Sequence, residues 1–144
     1  MNNIFIDSDI IIDLLAKRQE YLGAAKLLKL IREKRIRAYT TPVVLANVDY
    51  IITKYANKNK SRKALRSLRK RIQILPIDQT IVDSALESAF TDFEDALQYY
   101  ADEKQGMDFI VTRNEEDYKK GRIKIVTAQE FVDMNALGEN EVEV

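Results

Sequence analysis

The chain has 144 residues, 46% of them apolar, with 23 basic and 23 acidic side chains, which suits one globular domain and excludes disorder. It contains no cysteine and no histidine, so disulfides, thiolate nucleophiles, zinc–sulfur clusters and the Ser-His-Asp and Cys-His mechanisms are excluded. Any chemistry rests on carboxylates, amides, hydroxyls, Lys and Arg, and oxygen-rich sites of that kind favour hard ions such as Mg²⁺ or Mn²⁺.

In chain order, "NIFI" (3–6) predicts a first strand and "DIIIDLLAKR" (9–18) a helix. "EYLGAAKLLKLIREKR" (20–35) predicts an amphipathic helix with Tyr21, Ala24, Ala25, Leu28 and Ile31 along one stripe. "IRAYT" (36–40) is a second strand, and Thr41 with Pro42 signals the start of a helix carrying Val44, Val48, Ile51, Ile52 and Tyr55 inward. "NKNKSRKALRSLRKR" (57–71) is a loop and a basic helix with Ala64, Leu65 and Leu68 inward, and "IQILP" (72–76) is strand three. Asp78 caps a helix bearing Ile81, Val82, Ala85, Leu86 and Ala89. "TDFE" (91–94) predicts a capping box of Thr91 with Glu94, opening "DFEDALQYYADEKQ". "DFIVT" (108–112) and "IKIVT" (123–127) are strands four and five, and "TAQE" (127–130) is a second capping box.

Alternating strands and helices predict an α/β fold: a three-layer α/β/α sandwich around a mostly parallel five-stranded sheet. One domain is expected over residues 1–137, followed by a disordered acidic tail, "GENEVEV" (138–144). No apolar run approaches ~18 residues and no basic leader precedes one, so a cytoplasmic chain without a membrane partner is expected.

In open α/β sheets, ligands gather beyond the carboxyl ends of the strands. Asp7 and Asp9 stand just past strand one, Thr112, Arg113, Asn114 and Asp117 just past strand four, and Asp92 and Asp95 share one helical turn. Taken singly, Asp9 reads as a helix cap and Asp92 as an ordinary first-turn acid. Asp7 resists that reading, because a carboxylate directly after a buried strand needs a donor, a cation or water. Clustered carboxylates repel unless a cation neutralises them. A divalent ion does so and acidifies bound water, which suits phosphodiester hydrolysis.

Residues 54–71 hold nine Lys or Arg and no acid. Taken alone they form a solvated helix face. Beside an acidic metal cluster, Lys58, Lys60, Arg62, Lys63, Arg66, Arg69 and Lys70 gain a use in binding an RNA backbone through counterion release.

"IFIDSDIIIDLL" (4–15), "AYTTPVVLANVDYI" (38–51), "DFEDALQYYADEKQGMDFIVTRN" (92–114) and "EDY" (116–118) together resemble a PIN domain of the sort found as toxin nucleases of bacterial type II toxin–antitoxin pairs. The resemblance implies Mg²⁺- or Mn²⁺-dependent RNA cleavage, homodimers and an antitoxin that blocks the site. It implies metal ligation and catalysis by Asp7, Asp95, Asn114 and Asp117. Thr112 matches a hydroxyl that often precedes the last two, and Ser8 is a further supporting residue. Two departures stand out. Asp9 occupies a position where the family usually carries Asn. Asn47 falls where the family commonly has a Glu, so an amide without charge replaces an acid there. Asp9, Asp92 and Asn47 are therefore auxiliary candidates.

Three other readings compete. "DSD" after a strand imitates a haloacid-dehalogenase-like phosphatase, but "DFEDA" opens a helix with no apolar strand before it. "ILPID" (74–78) fits a receiver domain poorly. A PIN-like module that binds RNA or protein without cutting is the non-catalytic alternative, and Asn47 is the residue that speaks for it.

Overall fold

The computed structural model describes residues 1–18, 20–118 and 121–143, with side chains described through Asn135. Five strands form one sheet: β1 (Asn3–Ile6), β2 (Arg37–Thr40), β3 (Gln73–Ile74), β4 (Phe109–Val111) and β5 (Lys124–Val126). Their order is β3-β2-β1-β4-β5, and all four pairings are parallel. The register matches Phe5 to Tyr39 on one side and to Ile110 on the other. Chain direction across the sheet therefore reverses at β1, which leaves a crevice between the ends of β1 and β4.

Successive residues of a strand face opposite sides of a sheet. Ile4, Phe5 and Ile6 are all buried, as are Ile110 and Val111, so both faces are covered, as a parallel sheet requires. The covering helices are α1 (Ser8–Ala16), α2 (Tyr21–Arg32), α3 (Pro42–Tyr55), α4 (Lys58–Arg69), α5 (Gln79–Leu86), α6 (Phe93–Lys104) and α7 (Ala128–Glu143). A 3₁₀ turn, Glu115–Tyr118, links β4 to β5. The chain is thus an α/β/α sandwich. Among the described residues, no helix is long and apolar enough to cross a membrane.

Local signals set most helix starts. Thr41 Oγ1 accepts from Val44 N at 3.2 Å and proline follows it. Asp78 accepts from Ile81 N, Asn57 from Lys60 N, and Thr127 with Glu130 makes a reciprocal capping box. The box expected at Thr91 and Glu94 does not form. Asp92 is the cap of α6, with its Oδ1 accepting from Asp95 N at 3.1 Å. Two capping residues stand side by side there, and the carboxylate one residue later takes the role. At the far end of α6, Gly106 adopts φ 70°, the left-handed turn that glycine tolerates without strain, and releases the chain into β4.

Two expected apolar stripes shift. On α2 the buried residues are Gly23, Ala24, Leu27, Leu30 and Ile31, with Leu28 only partly buried. On α3 only Val44 and Val48 are buried. Tyr55 is 79% exposed, since α4 packs back on α3 and leaves Tyr55 on the rim of a groove with Ile12, Leu15 and Ala64. Leu86 and Ala89 of the α5 region are also exposed rather than inward. The tail expected over 138–144 falls on the last turns of α7, whose side chains from residue 136 onward, like Val144, lie outside the described residues.

Thr41 is fully buried and caps the helix that carries Asn47. Thr41→Ala is expected to lower unfolding free energy in urea by about 1–2 kcal/mol, with Thr41→Ser much milder.

Candidate active site

Asp7 ends β1 and caps α1. It is only 5% exposed. Its Oδ1 accepts from Ser8 N at 2.8 Å, and its Oδ2 accepts from Thr112 Oγ1 at 3.0 Å and from Tyr118 OH at 3.1 Å. Three donors would ordinarily hold a carboxyl low. Burial wins instead, with Asp9 adding repulsion, and Asp7 is pushed up to about 6.

Asp9, in the first turn of α1, ties this end of the sheet to the loop after β4. Its Oδ2 accepts from Arg113 N at 3.0 Å and Asn114 Nδ2 at 3.1 Å, and lies 3.2 Å from Thr112 Oγ1. The single Thr112 proton is thus shared between Asp7 and Asp9, while the same oxygen accepts from Asn114 N at 3.1 Å. Asp9 Oδ1 is buried and meets no donor. Burial raises the Asp9 carboxyl, against the pull of Arg113 and its neighbours. The cap role read for Asp9 belongs to Asp7.

The third arm is the N-terminus of α6. Asp95 is pushed up to about 7, first by burial, then by repulsion from Asp117, Asp92, Asp7 and Glu94. Asp117, on the 3₁₀ turn, is raised by burial and by Asp92. Asp7, Asp95 and Asp117, from three distant parts of the sequence, therefore lie within one electrostatic neighbourhood. Asn114 reaches that neighbourhood through Asp9 and Thr112. Ser8 contributes its backbone N–H to Asp7. Asn47, on α3, donates from Nδ2 to Glu94 Oε2 at 3.2 Å.

Four residues matter here that the sequence reading did not single out. Tyr118 is fully buried, and burial together with Asp7 raises its phenol far above the ordinary range, so it stays a donor. Asp13 is fully buried one turn below Asp9, 3.1 Å from Arg113 Nε and 3.3 Å from Arg18 Nε. Asp102 is fully buried with neither oxygen hydrogen-bonded, and burial followed by repulsion from Asp7 holds it well above the carboxylate range. Glu94 was read only as a capping acid. The available signals were helical spacing, Asp13 four residues after Asp9 and Asp102 seven after Asp95. Nothing local marked Tyr118 or the Asn47–Glu94 pair.

The basic residues of α4 are all exposed. Arg62 lies 3.6 Å from Asp49, and Arg69 donates to Ile72 O at 3.4 Å, so these two also staple α4 to its surroundings. Lys58, Lys60, Lys63, Arg66 and Lys70 present their charge to solvent.

Among the described residues, no three carboxylates stand close enough together to enclose a metal by themselves. Mg²⁺ does not require this, because it keeps several waters and takes one or two carboxylates. The donor set suits such an ion: it is all oxygen, it is anionic, and it includes the unpartnered buried Asp9 Oδ1.

Without a cation, Asp7 and Asp95 bind protons more tightly folded than unfolded, against the ordinary carboxylate value of 3.8. As pH rises from about 4 toward 7, the unfolded chain ionises first and is favoured. For Asp7 the full effect is on the order of 3 kcal/mol. Asp78, held low by Lys104, acts below this window. In chelator, the melting temperature is expected to fall between pH 4 and 7. Saturating Mg²⁺ should recover more at pH 7 than at pH 5, and Asp95→Asn should flatten the slope. A melting temperature that climbs over that range in chelator contradicts the assignment.

The family pattern described as PIN domain matches residues 3–116. Ribonuclease VapC1 of Aquifex aeolicus (strain VF5) is 23% identical over 134 residues, spanning 89% of this chain and 92% of the relative. Among solved structures, VapBC2 from Rickettsia felis bound to a DNA fragment from its promoter aligns with TM-score 0.67 at 16% identity, over 87% of this chain and 98% of the other. The Sarcin-Ricin loop cleaving toxin VapC20 of Mycobacterium tuberculosis aligns with TM-score 0.67 at 15% identity, over 84% and 97%. A toxin–antitoxin complex from Klebsiella pneumoniae aligns with TM-score 0.65 at 21% identity, over 87% and 97%. With its parallel sheet in that order and a match running from β1 through Glu116, this chain belongs to the PIN domain family.

Proposed function

We propose that the chain is a divalent-metal-dependent endoribonuclease acting as the toxin of a toxin–antitoxin pair. The observation that carries this reading is the convergence of acids past the ends of β1 and β4: Asp7 is buried beside Thr112 and Tyr118, and Asp95 of α6 meets repulsion from Asp117 and from Asp7. Burying like charges together is costly unless a cation joins them. Similarity to a ribonuclease VapC1 and to a Sarcin-Ricin loop cleaving toxin supports RNA as substrate. Structural likeness to toxin–antitoxin complexes supports an antitoxin partner. The reading extends to a cytoplasmic homodimer.

In this reading Asp7, Asp95 and Asp117, with help from Asn114, would hold Mg²⁺ or Mn²⁺ in part through waters the ion retains, and Asp9 and Asp92 add charge nearby. When bound there, such an ion would neutralise the cluster, polarise the phosphodiester and lower the pKa of nearby water. Water adds to phosphorus, one P–O bond to a ribose oxygen breaks, and that oxygen leaves with a proton. The chain's own residues set the geometry. Thr112 and Tyr118 hold Asp7 Oδ2 in place, and Asp9 anchors the loop carrying Asn114. Exposed Lys58, Lys60, Lys63, Arg66 and Lys70, with Arg62 and Arg69, attract the RNA backbone.

Asp95→Asn is expected to slow RNA cleavage by roughly 100-fold or more while RNA affinity persists. Chelator should abolish cleavage and Mn²⁺ should restore it. Cleavage that proceeds unchanged in Asp7→Asn, Asp95→Asn and chelator removes the mechanism. In a separate measurement, each α4 cation that contacts a phosphate should, when replaced by Ala, lower the slope of log affinity against log salt by about 0.7. Slopes equal to wild type in Lys58→Ala, Lys63→Ala and Arg66→Ala would place RNA elsewhere.

A further inference from the structure

Resting on the reading above, we propose that Tyr99 of α6 is a positioning residue. Its ring and hydroxyl seat the backbone of Gly121 and Arg122, and that seat holds the 3₁₀ turn where Tyr118 reaches Asp7. One helix then carries both Asp95 and, one turn on, the seat for the segment that bears Asp117 and Tyr118.

Four observations lead there. First, the backbone at Gly121 lies against the Tyr99 ring. A β-carbon there would stand 2.7 Å from Cδ2 and 2.8 Å from Cζ of that ring, and closer still to Cε2. Among the described glycines only Gly106 has a positive φ, so at Gly121 it is close approach that calls for glycine. Second, Tyr99 OH accepts from Arg122 N at 2.7 Å and donates to Glu103 Oε2 at 3.0 Å. Its one proton is committed to Glu103, which leaves an oxygen lone pair for the Arg122 N–H. Third, the ring has little room to move. Tyr99 is 3% exposed, with the Phe90 ring centroid at 5.1 Å and Tyr100 edge-on at 5.3 Å. Fourth, the seat reaches the site in two steps. Gly121 N donates to Tyr118 O at 2.9 Å, and Tyr118 OH donates to Asp7 Oδ2 at 3.1 Å.

A turn tied at one end swings about that tie. Asp9 ties the entrance of this one, through Arg113 N and Asn114 Nδ2. Tyr99 ties its exit. Tyr118 lies between the two ties, so its hydroxyl is delivered to Asp7 by both. A shift of about 1 Å in such a group costs on the order of 100-fold in rate, so loosening the exit acts on turnover more than on the fold.

The test uses the full chain in two measurements, with the folded fraction of each variant taken from urea unfolding. In chelator and without RNA, the ¹³Cζ resonance of labelled Tyr118 reports its hydrogen bond, and Asp7→Ala gives the position it takes when the acceptor is gone. Gly121→Ala and Tyr99→Phe are expected to move that resonance toward the Asp7→Ala position. In RNA cleavage, Tyr99→Phe should lower kcat about tenfold and Gly121→Ala about 100-fold, with KM within about twofold. Because Tyr99 acts through Tyr118, Tyr99→Phe should cost little further kcat in a Tyr118→Phe background. Should Gly121→Ala fail to fold, Tyr99→Phe, which keeps the ring, carries both measurements. A Tyr118 resonance that stays at its wild-type position in the folded variants overturns the proposal, as do losses of kcat that multiply in the double variant. If the wild-type chain cuts no RNA, the nuclease reading falls, and the resonance alone still decides whether Tyr99 holds the turn.

Discussion

The arrangement depends on one costly act: β1 delivers the Asp7 carboxylate into the interior at the end of the strand. Three donors meet it there, from Ser8, Thr112 and Tyr118. They come from the next residue, from the neighbouring strand end and from the 3₁₀ turn beyond. Their combined effect does not offset burial, and the carboxyl rises to about 6. That uncompensated burial is what the proposed cation would relieve.

Sheet topology determines what can gather around that carboxylate. β1 and β4 are central neighbours, so Thr112 follows β4 directly beside Asp7. α6 leads into β4 and places its N-terminal acids at the same edge, while α3 leaves β2 on the other flank of β1. The Asn47–Glu94 bond joins these two flanks across the crevice. Beneath it, Asp13 holds Arg113 from inside α1, and Arg113 in turn gives its backbone N–H to Asp9. The loop bearing Asn114 is thereby tied to α1 at two levels, which limits how far the acids can spread apart.

The strands were legible because each is a short β-branched or aromatic run ended by polar residues, and parallel order followed from the alternation with helices. Asp7 was legible for the same reason, as a carboxylate standing where an apolar strand ends. Helix faces were less so. Tyr55 and Leu86 fit the inward stripe by spacing yet lie exposed, because only tertiary packing decides how wide the buried face is. The start of α6 was misread by one residue, since Thr91 and Asp92 are both capping residues and no local rule chooses between them. Tyr118 stood in the quoted "EDY" stretch with no role of its own, because its role requires knowing that the turn folds back so that its hydroxyl reaches Asp7. Asp102 carries a helical spacing from Asp95 that could have been noticed, but its lack of partners is a property of the packed core alone.

The most direct test is anomalous diffraction at the manganese edge from crystals soaked in Mn²⁺ without RNA. The expected result is a peak at about 2.1 Å from a carboxylate oxygen of Asp7 or Asp95, bridging the two arms of the crevice. Full occupancy of Mn²⁺ elsewhere, with Asp7 and Asp95 both free of it, would contradict the account.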